Sequence, residues 1–387
     1  MLTRIEIDGF KSFLDFALDV PPFLALVGPN SSGKSNLLDA LDFVAAAARG
    51  GEEAFFTAKR GRAHQLFHRP ARGMPRSEFQ IRLRLLAEQG SGVRPVRLDT
   101  TARYRPDPAR AVVEQSRLLP WAPGERDRLP EAVKECWAAE FDAVDCVEGE
   151  HPELSSTPAA MVDWRWYEPE PRAMREVASA ADRRPLLSDG SNVAAVLGRL
   201  SATEALDRVA LDLAALIPDV NGVVPFHDER RQEWSFELMV DGQGAVPSAL
   251  LSDGTLRILG LLAALHDPDH AGVLLIEEIE NGLHPSRMAE LLRRVQRLVT
   301  DLGDREALRR PLRQVILTTH SPVVVSELYR LRPDALVFLD SVARVDPEQK
   351  GMSRVTVAKP VRDEGRPGTF VSPRQVRRYL SAVEIPG

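Results

Sequence analysis

Cysteine is nearly absent: the 387 residues hold two, Cys136 and Cys146. Their spacing matches neither a metal-ligand pattern nor a disulfide framework, which excludes a thiolate zinc site and a cross-linked secreted scaffold and suits a reducing compartment. No uninterrupted apolar run approaches the roughly 18 residues that a membrane-crossing helix needs. The opening MLTRIEIDGF carries acids where a secretory signal would carry an apolar core. The expectation is a cytoplasmic protein with no membrane partner. Internal repeats and low-complexity tracts are missing. Sustained heptads are missing too, because Pro120, Pro123, Pro130, Pro152, Pro158, Pro169 and Pro171 break the middle of the chain, so no long coiled-coil arm is expected. A strong charge of one sign is also lacking. The net charge of −6 gives no overall reason to expect nucleic acid.

What is present suffices for one large core or two moderate ones, with 44% hydrophobic and 27% charged residues. The charge is uneven along the chain. Thr57 to Arg117 holds 14 Lys and Arg against 5 Asp and Glu, and Leu118 to Ser188 holds 8 against 15. FQIRLRLLA and RPVRLDTTARY alternate as strands do, which predicts an antiparallel layer rich in arginine: Arg82, Arg84, Arg94, Arg97, Arg103 and Arg105. A period of two puts Arg82 and Arg84 on one face, and Arg103 and Arg105 likewise. Two readings follow: a surface for a DNA phosphate backbone, or arginines paired internally with the acidic segment after them.

LTRIEID and LDFALDV read as alternating strands around the turn-like GFKSF, and FLALVG as a short buried strand followed by a helix. GVVPF and WSFELMVDG are strands, and from Gly254 helices alternate with the strands VLLI, QVILTT and ALVFLD. The expected fold class is α/β: a mainly parallel sheet flanked by helices, plus the antiparallel layer and an inserted, mainly helical subdomain. The expected boundaries are 1–106, 107–219 and 220–387. In the insertion DWRWYEPEP offers Trp164, Trp166 and Tyr167 either as core of a small subdomain or as a surface that stacks bases or seats a partner.

GPNSSGKS, residues Gly28, Pro29, Asn30, Ser31, Ser32, Gly33, Lys34 and Ser35, matches the phosphate-loop pattern at every fixed position, and SNLLDALDFVAAAA continues as a helix through Asn36. Glycines let backbone N–H groups curl around phosphate oxygens, Lys34 reaches the β/γ-phosphates, and the Ser35 hydroxyl suits Mg²⁺. Against this loop the strand VLLIEEIENGLHP becomes intelligible. Glu277, Glu278 and Glu280 follow an apolar run at the carboxyl end of a strand, where open α/β sheets place ligands. Glu277 stands where an acid holds Mg²⁺, and Glu278 where one polarises the attacking water. LLSDGTLR reads first as a helix N-cap at Ser252 and offers a second helix end with free N–H groups. VILTTHSP ends a strand in His320, a residue type able to bond a γ-phosphate or position water.

In that order, GPNSSGKS, LSDGTLR, LLIEEIENGLHP and TTHSP resemble the ABC-type ATPase heads of the RecF, SMC and OLD-nuclease group, over roughly residues 1–100 and 220–345. The resemblance implies a P-loop NTPase fold with ATP and Mg²⁺ as ligands. It also implies a homodimer in which two ATPs are sandwiched head to tail, so that Ser252, Asp253 and Gly254 meet the γ-phosphate held by the partner. Glu278 would be the general base, Glu277 and Ser35 the metal ligands, and His320 the switch histidine. Lys11 and Ser12 of GFKSF fall where related heads place a basic residue near the nucleotide. Glu277 departs from the usual aspartate and Ile279 from a common proline. Gln65, Gln80 and Gln115 are equal candidates for the Q-loop.

The segment after His320 is shorter than the on the order of 100 residues a domain needs, so a nuclease or other effector is expected on a separate chain. Two functional readings stay open: a hydrolysing ATPase that drives a partner in DNA maintenance or phage defence, and a nucleotide-gated scaffold with slow, incidental hydrolysis. Lys34→Ala is expected to abolish measurable ATP affinity, since the ammonium and the loop N–H groups together balance the β/γ charge. Titration calorimetry with Mg·ATP checks this, and unchanged binding refutes the phosphate-loop reading.

Overall fold

The computed structural model describes residues 1–48, 63–71, 74–89, 92–106, 109–121, 129–136, 144–145, 164–269, 272–345 and 352–383. In chain order the strands are β1 (Leu2–Asp8), β2 (Phe16–Asp19), β3 (Phe23–Val27), β4 (Glu78–Gln89), β5 (Gly92–Pro106), β6 (Ala109–Pro120), β7 (Val144–Asp145) and β8 (Trp164–Tyr167). They continue as β9 (Ala178–Ser179), β10 (Val220–Asp228), β11 (Glu233–Val240), β12 (Gly244–Pro247), β13 (Gly272–Ile276), β14 (Arg313–Thr319), β15 (Leu336–Val345) and β16 (Met352–Pro360).

The central sheet has the order β16-β15-β3-β14-β13-β8, parallel throughout except for β16, which closes one edge antiparallel to β15. Its strands show no alternation because alternate residues enter two different cores. Phe23, Ala25 and Val27 of β3 face one core and Leu24 and Leu26 the other; in β13 Leu274 and Ile276 divide from Val273 and Leu275 in the same way. The first core packs the helices Val193–Leu200, Ala205–Leu216, Asp253–His266, Pro285–Leu298 and Pro322–Leu331. The second encloses the helix Lys34–Ala48 between the central sheet and an antiparallel sheet of order β2-β1-β4-β5-β6-β7. A third sheet, β10-β11-β12 with β9 on β11, packs into the first core through Val220, Val223, Phe236 and Leu238.

The expected boundary at residue 107 cuts through a sheet. β6 pairs with β5 from Val96↔Pro120 to Pro106↔Ala109, so the antiparallel layer runs on into the supposed insertion. Among the described residues that segment mixes helices at 131–135, 171–174, 193–200 and 205–216 with β6, β7, β8 and β9, and the helices 193–200 and 205–216 share the main core. WRWY is the edge strand β8 of the central sheet, in parallel register from Val273↔Trp164 to Ile276↔Tyr167. Trp164 and Tyr167 are buried, and the Trp164 indole N–H donates to the Leu41 carbonyl at 2.9 Å. They are core of the head itself. A four-residue strand has too few residues to show a period, which hid it in the sequence. Asp163 and Cys146 lie outside the described residues. β16 and the helix Pro373–Val383 complete the fold without having been anticipated.

The alternation expected of β4 and β5 is present. Phe79, Ile81, Leu83 and Leu85 are buried, and Arg82 and Arg84 share the opposite face. The arginines pair within their own sheet: Arg84 with Glu6 at 3.5 Å, Arg97 with Asp99 at 3.0 Å, Arg103 with Glu78 at 2.5 Å and Glu114 at 3.1 Å, and Arg105 with Glu114 at 2.7 Å. Arg103 holds the Glu78 carboxyl below its ordinary range. The partners therefore come from the same sheet, across strands for Arg84, Arg103 and Arg105 and along β5 for Arg97, not from the acidic segment downstream.

Phe79 ties the layers together. Its ring lies 5.1 Å from Phe10, 5.1 Å from Phe43 and 5.0 Å from Phe67, joining the antiparallel sheet, the GFKSF turn and the phosphate-loop helix. Phe79→Ala is expected to cost about 3–5 kcal/mol by opening a cavity at this junction. Chemical denaturation measures it, and a loss under about 1 kcal/mol would show that these layers are held together elsewhere.

Candidate functional site

β3 ends at Val27, level with Thr319 at the end of β14, and the loop from Gly28 to Gly33 delivers the chain into the helix at Lys34. Lys34 is 8% exposed, and its ammonium donates to the carbonyls of Gly28 at 2.6 Å and Pro29 at 3.0 Å. Burial pushes its pKa down from the ordinary lysine range, while the charges of Glu278, Glu280 and Glu277 raise it. Three of the six non-glycine residues with positive φ among the described residues belong to this region: Lys11, Ser31 and Glu278. Backbone strain of this kind concentrates where a structure over-determines a ligand-binding geometry.

The loop is braced from the far end of the chain. Gly33 has φ +104°, and a Cβ there would stand 2.1 Å from Thr356 Oγ1 of β16. The buried Thr356 hydroxyl donates to the Ser32 carbonyl at 3.0 Å and lies 2.8 Å from Ser12 Oγ, which accepts from the Asn36 amide at 2.8 Å. The Thr356 N–H donates to the Ser12 carbonyl at 2.8 Å. Next to Ser12, the Lys11 ammonium pairs with Asp39 at 2.5 Å. A cavity of about 410 Å³ opens beside this chain of hydroxyls, and Lys11, Ser12, Asn36, Gln65, Phe67 and Arg354 are among its walls. Of the three glutamines, Gln65 therefore stands near the loop, whereas Gln80 bonds Glu78 and Arg82 in the antiparallel sheet. The Gln115 side chain lies outside the described residues.

A second cavity, about 250 Å³, is lined by Asn30, Ser31, Gly33, Lys34, Ser35, Asn36, Glu277, Glu278 and Thr318. It brings the phosphate loop and two of the acids together at the carboxyl ends of β3 and β13, as the sequence predicts. Among the described residues no group of three or more His, Cys, Asp or Glu could hold a metal ion alone. One hydroxyl and one carboxylate, Ser35 and Glu277, suit Mg²⁺, a hard cation usually completed by water and substrate phosphates. Glu278 has φ +48°; its N–H donates to Thr318 Oγ1 at 3.1 Å, and its carboxylate accepts from the Asn281 amide at 2.9 Å. His320 Nδ1 stands 3.2 Å from Glu278. The pair has the separation needed for proton traffic or for orienting a water.

Ser252, Asp253 and Gly254 do not line this cavity. Ser252 caps the helix Asp253–His266, accepting from the Thr255 N–H at 3.1 Å, and Arg175 bridges Asp253 at 2.6 Å and the Leu251 carbonyl at 2.8 Å. Gly254 has no room for a side chain: a Cβ would lie 2.1 Å from the Gly282 carbonyl. Ser252 and Asp253 face solvent, with the helix end open to another molecule. Sequence reasoning assigned no role to Thr318, Asn281 or Thr356. Thr318 and Asn281 sit inside quoted motifs, but Thr356 is 324 residues from the carbonyl it holds and carries no local signal.

Thr356→Val keeps the shape and removes the hydroxyl that joins Ser32 to Ser12. With the net worth of a buried hydrogen bond near 1 kcal/mol, ATP affinity is expected to fall by roughly fivefold while the fold survives. A fluorescent-nucleotide titration checks it, and an unchanged Kd refutes the brace.

The sequence profile of a family described as "AAA domain, putative AbiEii toxin, Type IV TA system" matches residues 23–95 and 168–326, more than half of the chain. The Chromosome partition protein Smc of Methanocaldococcus jannaschii is 57% identical over 44 residues, and Structural maintenance of chromosomes protein 4 of Caenorhabditis elegans 47% identical over 47; each stretch is 11% of this chain. The chain spans only 4% and 3% of the length of these relatives. Among solved structures, an SmcHead bound to the C-winged helix domain of ScpA superposes with TM-score 0.55 at 15% identity, covering 92% of this chain and 98% of that one. The Smc head with an extended coiled coil from Pyrococcus furiosus gives 0.51 at 13%, covering 99% of both chains. At such identities these likenesses establish the fold. No helix among the described residues is long and apolar enough to cross a membrane. The chain belongs to the AAA-domain family that this profile describes, and it is built on the ABC-type P-loop ATPase fold of SMC heads.

Proposed function

We propose that this protein binds Mg·ATP and hydrolyses it to ADP and phosphate, as one half of an ATP-sandwiched head-to-tail homodimer. The observation that carries the reading is the 250 Å³ cavity with Lys34, Ser35, Glu277 and Glu278 on its walls, because phosphoryl transfer to water needs a phosphate cradle, a metal ligand and a base in one place. Lys34 leaves the Gly28 and Pro29 carbonyls for the β/γ-phosphates. Ser35 and Glu277 hold Mg²⁺, which neutralises phosphate charge when bound, and Glu278 accepts the proton of the attacking water. The cavity at Lys11, Ser12 and Gln65 shares Asn36 with the first and takes the base and ribose. The exposed Ser252 end of its helix supports a role in trans, where its free N–H groups meet the partner's γ-phosphate.

The role in the cell that fits is an ATP-driven switch for a separately encoded effector, in genome maintenance or phage defence, in the cytoplasm. Chromosome partition in the name of one relative, chromosome maintenance in the other and a toxin–antitoxin system in the family description belong to such settings. The arginine face is occupied by Glu6, Glu78, Asp99 and Glu114, so DNA would have to displace these pairs; the face favours a protein partner. A second reading, an ATP-held scaffold with slow hydrolysis, draws on Glu278, whose carboxylate already engages Asn281 and His320.

Glu278→Gln is expected to keep ATP binding, lose turnover and accumulate as an ATP-bound dimer, since the amide can hold water yet cannot accept its proton. Phosphate release and light scattering measure both. Ser252→Arg mixed with Lys34→Ala is the companion measurement: in a head-to-tail dimer one composite site carries both lesions and the other neither, so activity partly returns. Mixed dimers without returned activity would place the site within one chain.

A further inference from the structure

Glu280 is the third acid after β13, and the roles above leave it without a task. It does not line the phosphate cavity. Its side chain is 13% exposed, and a single oxygen, Oε1, accepts three hydrogen bonds: from the Thr319 hydroxyl at 2.9 Å, the His320 N–H at 3.0 Å and the Ser321 N–H at 3.0 Å. Ser321 is the N-cap of the helix Pro322–Leu331 and its side chain makes no capping bond; the Glu280 carboxylate instead holds the N–H groups of His320 and Ser321, just ahead of the helix N-terminus. The same Oε1 stands 3.5 Å from His320 Nδ1, whose other carboxylate neighbour is Glu278 at 3.2 Å. Tyr379 Oη reaches the His320 carbonyl at 3.5 Å, and burial followed by the Glu280 charge raises its pKa.

The geometry points to Glu280 as the positioning residue that fixes the His320 turn against Glu278, so that base and histidine hold one geometry although they come from different strands. Thr319, His320 and Ser321 follow β14, Glu278 and Glu280 follow β13, and the carboxylate of Glu280 is the strap between the two strand ends. This inference rests on the ATPase reading, with Glu278 and His320 as its working pair. It assigns Glu280 an effect on kcat through the His320 turn, apart from the charge it shares with Glu277 and Glu278 toward Lys34.

What matters in this role is reach and acceptor capacity, not charge, and two substitutions separate them. Glu280→Gln keeps an oxygen at the same distance and is expected to preserve most of kcat. Glu280→Asp keeps the charge but withdraws it by one methylene, out of reach of the three donors. Its kcat is expected to fall about 10- to 100-fold, with KM and the calorimetric ATP affinity unchanged. In Glu280→Asp/His320→Ala the losses are not additive, because the strap acts through the histidine. Histidine NMR supplies a readout free of turnover: the His320 ring signals, assigned with His320→Ala, are displaced further by Glu280→Asp than by Glu280→Gln. An aspartate variant that outperforms the glutamine one, additive losses, or unmoved His320 signals would each overturn the proposal. Wild-type turnover judges the ATPase reading separately, since the NMR comparison holds whether or not ATP is hydrolysed.

Discussion

A carboxylate at the end of a buried strand has to be given partners, and most of the site follows from that constraint. Three of them, Glu277, Glu278 and Glu280, lie within four residues after Ile276. Glu278 takes an amide from its own loop and a histidine from the next strand end; Glu280 takes a hydroxyl and two backbone N–H groups from that same strand end. Lys34 supplies the compensating charge: it is buried, its ionisation is disfavoured by that burial, and the acids offset the cost. The ends of β3, β13 and β14 therefore form one electrostatic unit before any ligand arrives.

The parts legible in the sequence were those with a local cause. A glycine-punctuated loop between a buried strand and a helix, a capping serine before an apolar helix, and acids closing an apolar run each state their geometry within about ten residues. Contacts set by topology left no such trace. Thr356 meets the phosphate loop only because β16 closes the sheet edge beside β15, and WRWY becomes a core strand only because the chain returns from 163 to pair with β13. The arginine pattern shows both sides. Its period of two gave the shared faces correctly, but the counter-charges come one at a time from β1, β4, β5 and β6, where segment-wide charge totals could not find them.

The helix Lys34–Ala48 is the only long helix lying in the second core among the described residues, with a sheet on either side. The phosphate loop runs straight into its first turn, and its middle packs Phe43 on Phe79. The loop thus inherits the rigidity of a two-sheet sandwich, while the helix Asp253–His266 sits in the other core, across the central sheet. The phosphate loop and the helix Asp253–His266 are held by separate hydrophobic assemblies, and the central strands are what they share.

The missing side chain at Gly254 has a mechanical meaning. Backbone rests directly on backbone there, with the Gly282 carbonyl against the first turn of the helix Asp253–His266 and no flexible atoms between them to absorb movement. Gly282 follows the acids by a few residues, so a shift of the chain after Glu278 would press on that helix directly, as through a pushrod. In a head-to-tail pair the two ends of that rod belong to different nucleotides, and each protomer would report the state of the ATP it holds to the ATP it covers.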